Sequence, residues 1–232
     1  DATANDRDVT VLVEALATST GLLGTALDLT GSTGYLNDSD FYWTAGDPLV
    51  TSGWYYQTAA SNESLWEWGN NAQPNNIEFR PWYTGDAGLH YFGNTSGATY
   101  NVTPRTIEWH HFTTIGATST SETNDVYQDS ILVDSPNQTV ANPENTTTGF
   151  KIGRDGTGGS WEGIVDELRI STNKPNTDWI EAEFSNQNTP TIFYATSTIE
   201  SYQPETILDE ATHNITADGS DFYNITFNDA NT

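Results

Sequence analysis

The chain has 232 residues, long enough for one large β-sandwich with a core of its own, or a sandwich with a small appendage. Its 32 Asp and Glu stand against 7 Lys and Arg, a formal charge of −25 that repels nucleic-acid phosphates and anionic membrane surfaces and excludes both as partners. No run of about 18 apolar residues is present to span a bilayer.

In chain order, residues 8–16 alternate as a first strand, and Thr25-Ala26-Leu27-Asp28-Leu29-Thr30 reads as a second, with Gly31 to Gly34 as its turn and Tyr35-Leu36 resuming. Trp54 to Thr58, Ser64 to Gly69, Ile77 to Trp82 and Leu89 to Phe92 read as further short strands of a meander. Trp109-His110-His111-Phe112-Thr113-Thr114-Ile115 is another, and Asn124 to Val133 reads as a hairpin turning at Asp129-Ser130. Two more runs, Gly149 to Arg154 and Trp161 to Ile170, flank a linker rich in Gly and small polar residues. One short helix is expected over 176–184, capped by Asn176 or Thr177, with Trp179, Ile180 and Phe184 toward the core. Beyond residue 198, Asp221 to Phe227 alternates like a strand, either opening a next domain or adding to a neighbouring subunit's sheet edge. Strands at this spacing, with Gly/Asn/Thr-rich turns and little 3.6-residue periodicity, predict an all-β, two-sheet antiparallel sandwich.

The wording of the late strands, xIGr…WxGxVDELRIS over residues 151–171, resembles laminin-G-like domains of the concanavalin A-like lectin/glucanase superfamily. The earlier strands match that family's "G.ALdf.G" at Thr25–Gly31, its "W.hva.t" at Trp109–Ile115 and its "vYvDG" hairpin, with Asp129-Ser130 in place of Asp-Gly. Its helix phrase, "s..dWI.aEy.nQ..p..fy", matches from Asn176 on, so the resemblance covers roughly residues 21 to 198. It implies a jelly roll over 1–198 with 199–232 as an extension, used to bind or display polysaccharide more often than to cut it. It also implies a structural Ca²⁺ anchored by Asp166, with backbone carbonyls around Gly31, and Asp28, or Asp38 and Asp40, completing the shell.

The family's glucanases carry paired carboxylates in the pattern ExDxxE; no glutamate here has that spacing, and Glu63 and Glu67 have no Asp between them. Hydrolase activity is therefore the weakest reading, and catalytic triads lack support in a chain with no Cys and no Gly-x-Ser-x-Gly. His110 and His111, adjacent on a strand, point to opposite faces and do not chelate one metal together. Exposed aromatic faces stack on sugars, which makes Trp43, Tyr55, Trp66, Trp68, Trp82 and Tyr91 candidate platforms; core packing is the favoured alternative, and Trp66 and Trp68, on one strand face, suit inward packing as well as outward display.

With Lys151 and Lys174 the only lysines, the acid excess resembles proteins of extreme halophiles, haloarchaea and their viruses above all. The chain has no Met and begins Asp1-Ala2-Thr3, which suits a processed piece of a longer precursor that lost a signal peptide. Sequons at Asn37, Asn62, Asn94, Asn101, Asn137, Asn145, Asn214 and Asn224 suit an exposed glycoprotein surface. The expected function is a non-catalytic binding or adhesion module for a glycan or surface protein, on a secreted, cell-surface or virion protein. A self-assembling subunit of a virus spike, fibre or surface layer is the alternative.

Overall fold

The computed structural model describes residues 10–12, 16–38, 47–59, 63–69, 76–81, 88–93, 96–101, 106–116, 122–135, 149–154, 158–190, 213–217 and 225–229. Backbone contacts divide the chain into two units, Asp1–Pro190 and Thr191–Thr232.

Two antiparallel seven-stranded sheets make the first unit. In chain order its strands are β1 (Thr10–Leu12), β2 (Ala17–Thr20), β3 (Thr25–Asp28), β4 (Tyr35–Asp38), β5 (Val50–Gln57), β6 (Trp66–Gly69), β7 (Asn76–Arg80), β8 (Gly88–Gly93), β9 (Ser96–Asn101), β10 (Trp109–Ile115), β11 (Asp125–Gln128), β12 (Ile131–Asp134), β13 (Phe150–Ile152) and β14 (Gly163–Ser171). The first sheet runs β1-β4-β13-β6-β7-β8-β9 and the second β12-β11-β10-β5-β14-β3-β2. The architecture is a jelly-roll β-sandwich with a single described helix, α1 (Thr177–Asn188). In the second unit β15 (His213–Ala217) pairs with β16 (Ile225–Asp229) as a two-stranded ribbon.

Alternation decides which side chains fill the space between the sheets. Trp66 and Trp68 of β6, Ile77 and Phe79 of β7, and Phe150 and Ile152 of β13 point inward from the first sheet. Tyr55, Phe112, Val126 and Val165 meet them from the second. Phe79 stacks on Phe112 at 4.6 Å between ring centroids, an aromatic contact that ties the layers directly. Thr51 and Thr114, opposite each other on the same inner face, satisfy their hydroxyls mutually at 2.7 Å.

Asp129 and Ser130 both hold positive φ, 51° and 66°, as a two-residue turn between β11 and β12 requires. The helix is longer than its expected span, and Asn176 caps it by accepting the Trp179 amide at 2.9 Å. Its packing face also differs. Ile180 is buried and Phe184 stacks on Trp54 at 5.7 Å, whereas Trp179 is 66% exposed. Trp179 sits one position before Ile180, about 100° away around the helix, and so cannot share its contact face.

Candidate functional site

Pairing register sorts the outward face of the second sheet into rows. His111, Trp54 and Asp166 form one row across β10, β5 and β14; Trp109, Tyr56, Ile164 and Asp28 form the next across β10, β5, β14 and β3. Trp54 and His111 of the first row lie under α1, while Asp166 is covered by the Gly21–Gly24 turn. There Trp54 donates its indole N–H to Gln187, stacks on Phe184, and meets His111 edge-on at 5.1 Å. Val50, Ile115, Tyr127 and Ile180 close a small apolar cluster at the same interface.

His111 is fully buried there and neither ring nitrogen has a hydrogen-bond partner; the Thr113 hydroxyl, also buried, has none either. Burial lowers the His111 pKa to about 4, against an opposing pull from Asp129 and with a smaller push from Arg169, so the ring is neutral at pH 7. Its neighbour behaves oppositely. Burial works to lower the His110 pKa, but the 2.8 Å bond from Nδ1 to Asp129 and the charges of Asp129 and Glu108 together hold it above the usual value. Beside it, burial and the Asp129 charge push the Tyr55 phenol upward.

The second row escapes the helix, which ends at Asn188. Tyr56 and Trp109 lie against each other with centroids 5.7 Å apart and are half-buried, flanked by half-buried Ile164 and Asp28. Two tilted aromatic rings offer an apolar face to the C–H face of a sugar, and Asp28, two strands further along the row past Ile164, offers a hydrogen-bond acceptor.

Neither residue is among the candidate platforms expected from the sequence, which include the neighbouring Tyr55. Tyr55 is buried in the core, as are Trp66 and Trp68, and none of the three is open to a ligand. The parity of Trp54 and Tyr55 against the His110–His111 strand carried the signal, but it becomes decisive only with the cross-strand register. Trp43 and Trp82 lie outside the described residues, as does the side chain of Tyr91, whose backbone is in β8.

On the first sheet's outward face Asn37, Lys151, Glu67 and Glu78 stand side by side across four strands. Glu67 and Glu78 are shut off from solvent at 0% and 2% exposure. Arg80 binds Glu78 at 2.9 Å, Ser64 donates to the same carboxylate, and Lys151 lies 4.0 Å from Glu67. Directly opposed carboxylates have the separation class of retaining glycosidases. Here both are buried beside cations, so neither is open to a substrate. Asn37, the sequon whose side chain is described, has its Oδ1 enclosed in this row without a partner.

The expected calcium ligands are placed differently from one another. Asp166 is buried and accepts the Leu23 amide at 2.9 Å, so it grips the Gly21–Gly24 turn that precedes β3. Gly31, with φ 66°, lies past the opposite end of β3, and Asp28 uses Oδ1 to accept the Thr30 amide at 2.9 Å. Ca²⁺ takes six to eight oxygens. Among the described residues no group of three or more His, Asp or Glu side chains converges, so a shell here would draw most of its oxygens from backbone carbonyls and water. Asp38 is half-buried at the end of β4; Asp40 is outside the described residues.

No family model and no curated protein matches the sequence. Solved structures do match the fold. Domain 4 of AbnA, a GH43 extracellular arabinanase from Geobacillus stearothermophilus solved in complex with arabinotriose, is similar with a TM-score of 0.66 and 17% identity, over 78% of this chain and 90% of that one. The binding domain of Paraclostridial Mosquitocidal Protein 1 matches with a TM-score of 0.59 and 13% identity over 79% of this chain. The binding domain of Botulinum neurotoxin DC, solved with rat synaptotagmin II, matches at 0.57 and 11% over 79%. The chain spans about half the length of these toxin domains, 48% in each case. At these identities the likeness is one of fold.

Proposed function

We propose that the chain is a non-catalytic, surface-exposed binding module whose ligand is a glycan, held on the outward face of the second sheet. The carrying observation is the Tyr56–Trp109 pair, half-buried on the outward face, with Asp28 two strands along the same row. The reading takes support from the arabinanase domain, whose fold is similar over most of both chains and which was solved with arabinotriose. In this reading one sugar ring stacks on Trp109 and Tyr56, and Asp28 accepts a hydroxyl from the next unit along the row. The same reading sets the module outside the cell, on a secreted, cell-surface or virion protein from a saline setting, and takes support from the laminin-G-like wording of β13 and β14, the sequons and the acid-rich composition.

Tryptophan fluorescence titrated with a glycan panel that includes arabinotriose tests it. Saturable quenching is expected, weakened at least tenfold in Trp109→Ala and in Tyr56→Ala. No response to any sugar, or unchanged affinity in both variants, sinks the reading. The saline setting is checked separately by melting at increasing KCl: stability rises steadily as 25 unbalanced charges are screened. A flat melting temperature removes it.

The alternative is a structural subunit of an assembly. It draws on strand β12, which ends the second sheet and exposes Ile131 at 68% and Leu132 at 48%. Sedimentation of the purified chain decides it, because a monomer at high concentration contradicts assembly through this edge.

A further inference from the structure

The strand β14 outruns its neighbour. It extends from Gly163 to Ser171, yet pairs with β3 only at Ile164 and Val165; from Asp166 onward its partner among the described residues is β5 alone. A bulge sits at this point. The register shifts between Asp166 and Arg169, Glu167 holds a φ of 51°, and Gly53 of β5 makes room. A Cβ on Gly53 would lie 3.0 Å from the Leu168 Cα and 3.2 Å from the Asp166 carbonyl oxygen. Bulges bend a strand and re-aim its edge, and a left-handed non-glycine residue persists only where the surroundings enforce it.

A cavity of about 540 Å³ opens beside that edge. Leu27, Leu36, Phe150, Ile152, Val165 and Leu168 form its apolar walls. Thr25, Asp38, Glu167 and Arg169 lie around it, and Arg169 is already bridged to Glu167 at 2.7 Å and Glu183 at 2.6 Å. Sandwich interiors are close-packed, so an apolar space of this size next to a one-sided strand has the shape of a receiving site.

We propose that β14 and this cavity form a strand-addition site for an extended peptide of a partner protein, with alternate apolar side chains and flanking Lys or Arg. Backbone groups of residues 168–170, beyond the turn that Asp166 holds, pair with the incoming strand, every second side chain enters the cavity, and the acidic surround together with the chain's −25 charge selects a basic flank. The site is separate from the Tyr56–Trp109 face and stands whether or not that face binds sugar.

The probe is a fluorescein-labelled peptide alternating valine and threonine between terminal lysines, followed by anisotropy on the full chain. Saturable binding is expected. It falls at least tenfold when alternate amides of the peptide are N-methylated, which keeps charge and side chains but removes donors, and at least tenfold in Thr25→Trp, which fills the mouth. Glu167→Lys weakens it at least threefold. Equal affinity for the N-methylated peptide means charge-driven adhesion only and overturns the proposal, as does full binding by Thr25→Trp with an unchanged melting curve, or no binding at all. Should Thr25→Trp fail to fold, the N-methylated peptide on the wild-type chain and Glu167→Lys decide. Self-association that the peptide cannot displace names a second copy as the occupant and likewise overturns it.

Discussion

Two consecutive rows on one sheet face have opposite fates. His111, Trp54 and Asp166 lie sealed or buried, while Trp109, Tyr56, Ile164 and Asp28 one row on remain half-open. Residue types do not separate them, since each row brings an aromatic from β5, a ring from β10 and a carboxylate. The helix separates them. It covers the face as far as Gln187, where the Trp54 indole N–H finds its acceptor, and then stops. Helix length therefore decides which aromatic residues are structure and which are surface.

The largest effect follows from removing the sealed ring. Trp54→Ala deletes the stack on Phe184, the contact with His111 and the bond to Gln187, and it leaves a cavity under the helix. Truncations of buried Trp cost about 3–5 kcal/mol. Trp109→Ala, half-open, is expected to cost about 1 kcal/mol, in the range of ordinary substitutions. Urea unfolding of both variants measures the difference, and equal losses would erase the distinction between the rows.

Acid probes the same contrast through the paired histidines. The His111 pKa is depressed in the folded state, so its contribution is fully present above the unfolded value near 6.5 and is lost as pH falls toward about 4. For a fully buried ring this amounts to about 3 kcal/mol. His110 has the opposite sign: its pKa is raised, so its contribution is present below about 6.5 and is lost as pH rises through the folded value. The net expectation is weakening between pH 6.5 and 4, a window in which the His110 contribution is already complete and only His111 titrates against the fold. His111→Phe flattens that limb, whereas Asp129→Asn deepens it by removing the charge that opposes the lowering of the His111 pKa, and weakens the His110 contribution. An acid limb unchanged in His111→Phe would show that some other group drives it.

Much of this layout could be read from the chain. The strand Trp109–Ile115, the Asp129-Ser130 turn, the Asn176 cap and the inward pair Trp66 and Trp68 are each fixed by local alternation or local hydrogen bonds, and all four are present as expected. The site was not legible, because it depends on non-local terms. Choosing Tyr56 over Tyr55 takes the register against His110 and Trp109, and knowing that Tyr56 is open takes the end of α1. Trp179 was assigned inward from apolarity alone, although Ile180 and Phe184, four apart, already define one face. The β14 edge and its cavity exist only because β3 stops pairing early, which no pattern within β14 records.

Asp166 gives a smaller effect than Trp54 and completes the sealed row. Its carboxylate holds the Leu23 amide directly, and a Cβ on Gly21 would collide with the same oxygen, so the turn before β3 is seated on this side chain. Asp166→Ala leaves that amide without its acceptor, at a cost of about 1–3 kcal/mol. If the direct bond alone seats the turn, chelation at constant ionic strength leaves the wild-type melting temperature unchanged, and Asp166→Asn, which keeps an acceptor oxygen, recovers most of the loss. If a calcium ion bridges Asp166 to the turn's carbonyls instead, chelation lowers the wild-type melting temperature by several degrees, leaves Asp166→Ala unmoved, and Asp166→Asn fails to rescue because a neutral amide is a poorer ligand than a carboxylate. The Asn variant separates the two accounts even where melting shifts are small, since they assign it opposite outcomes.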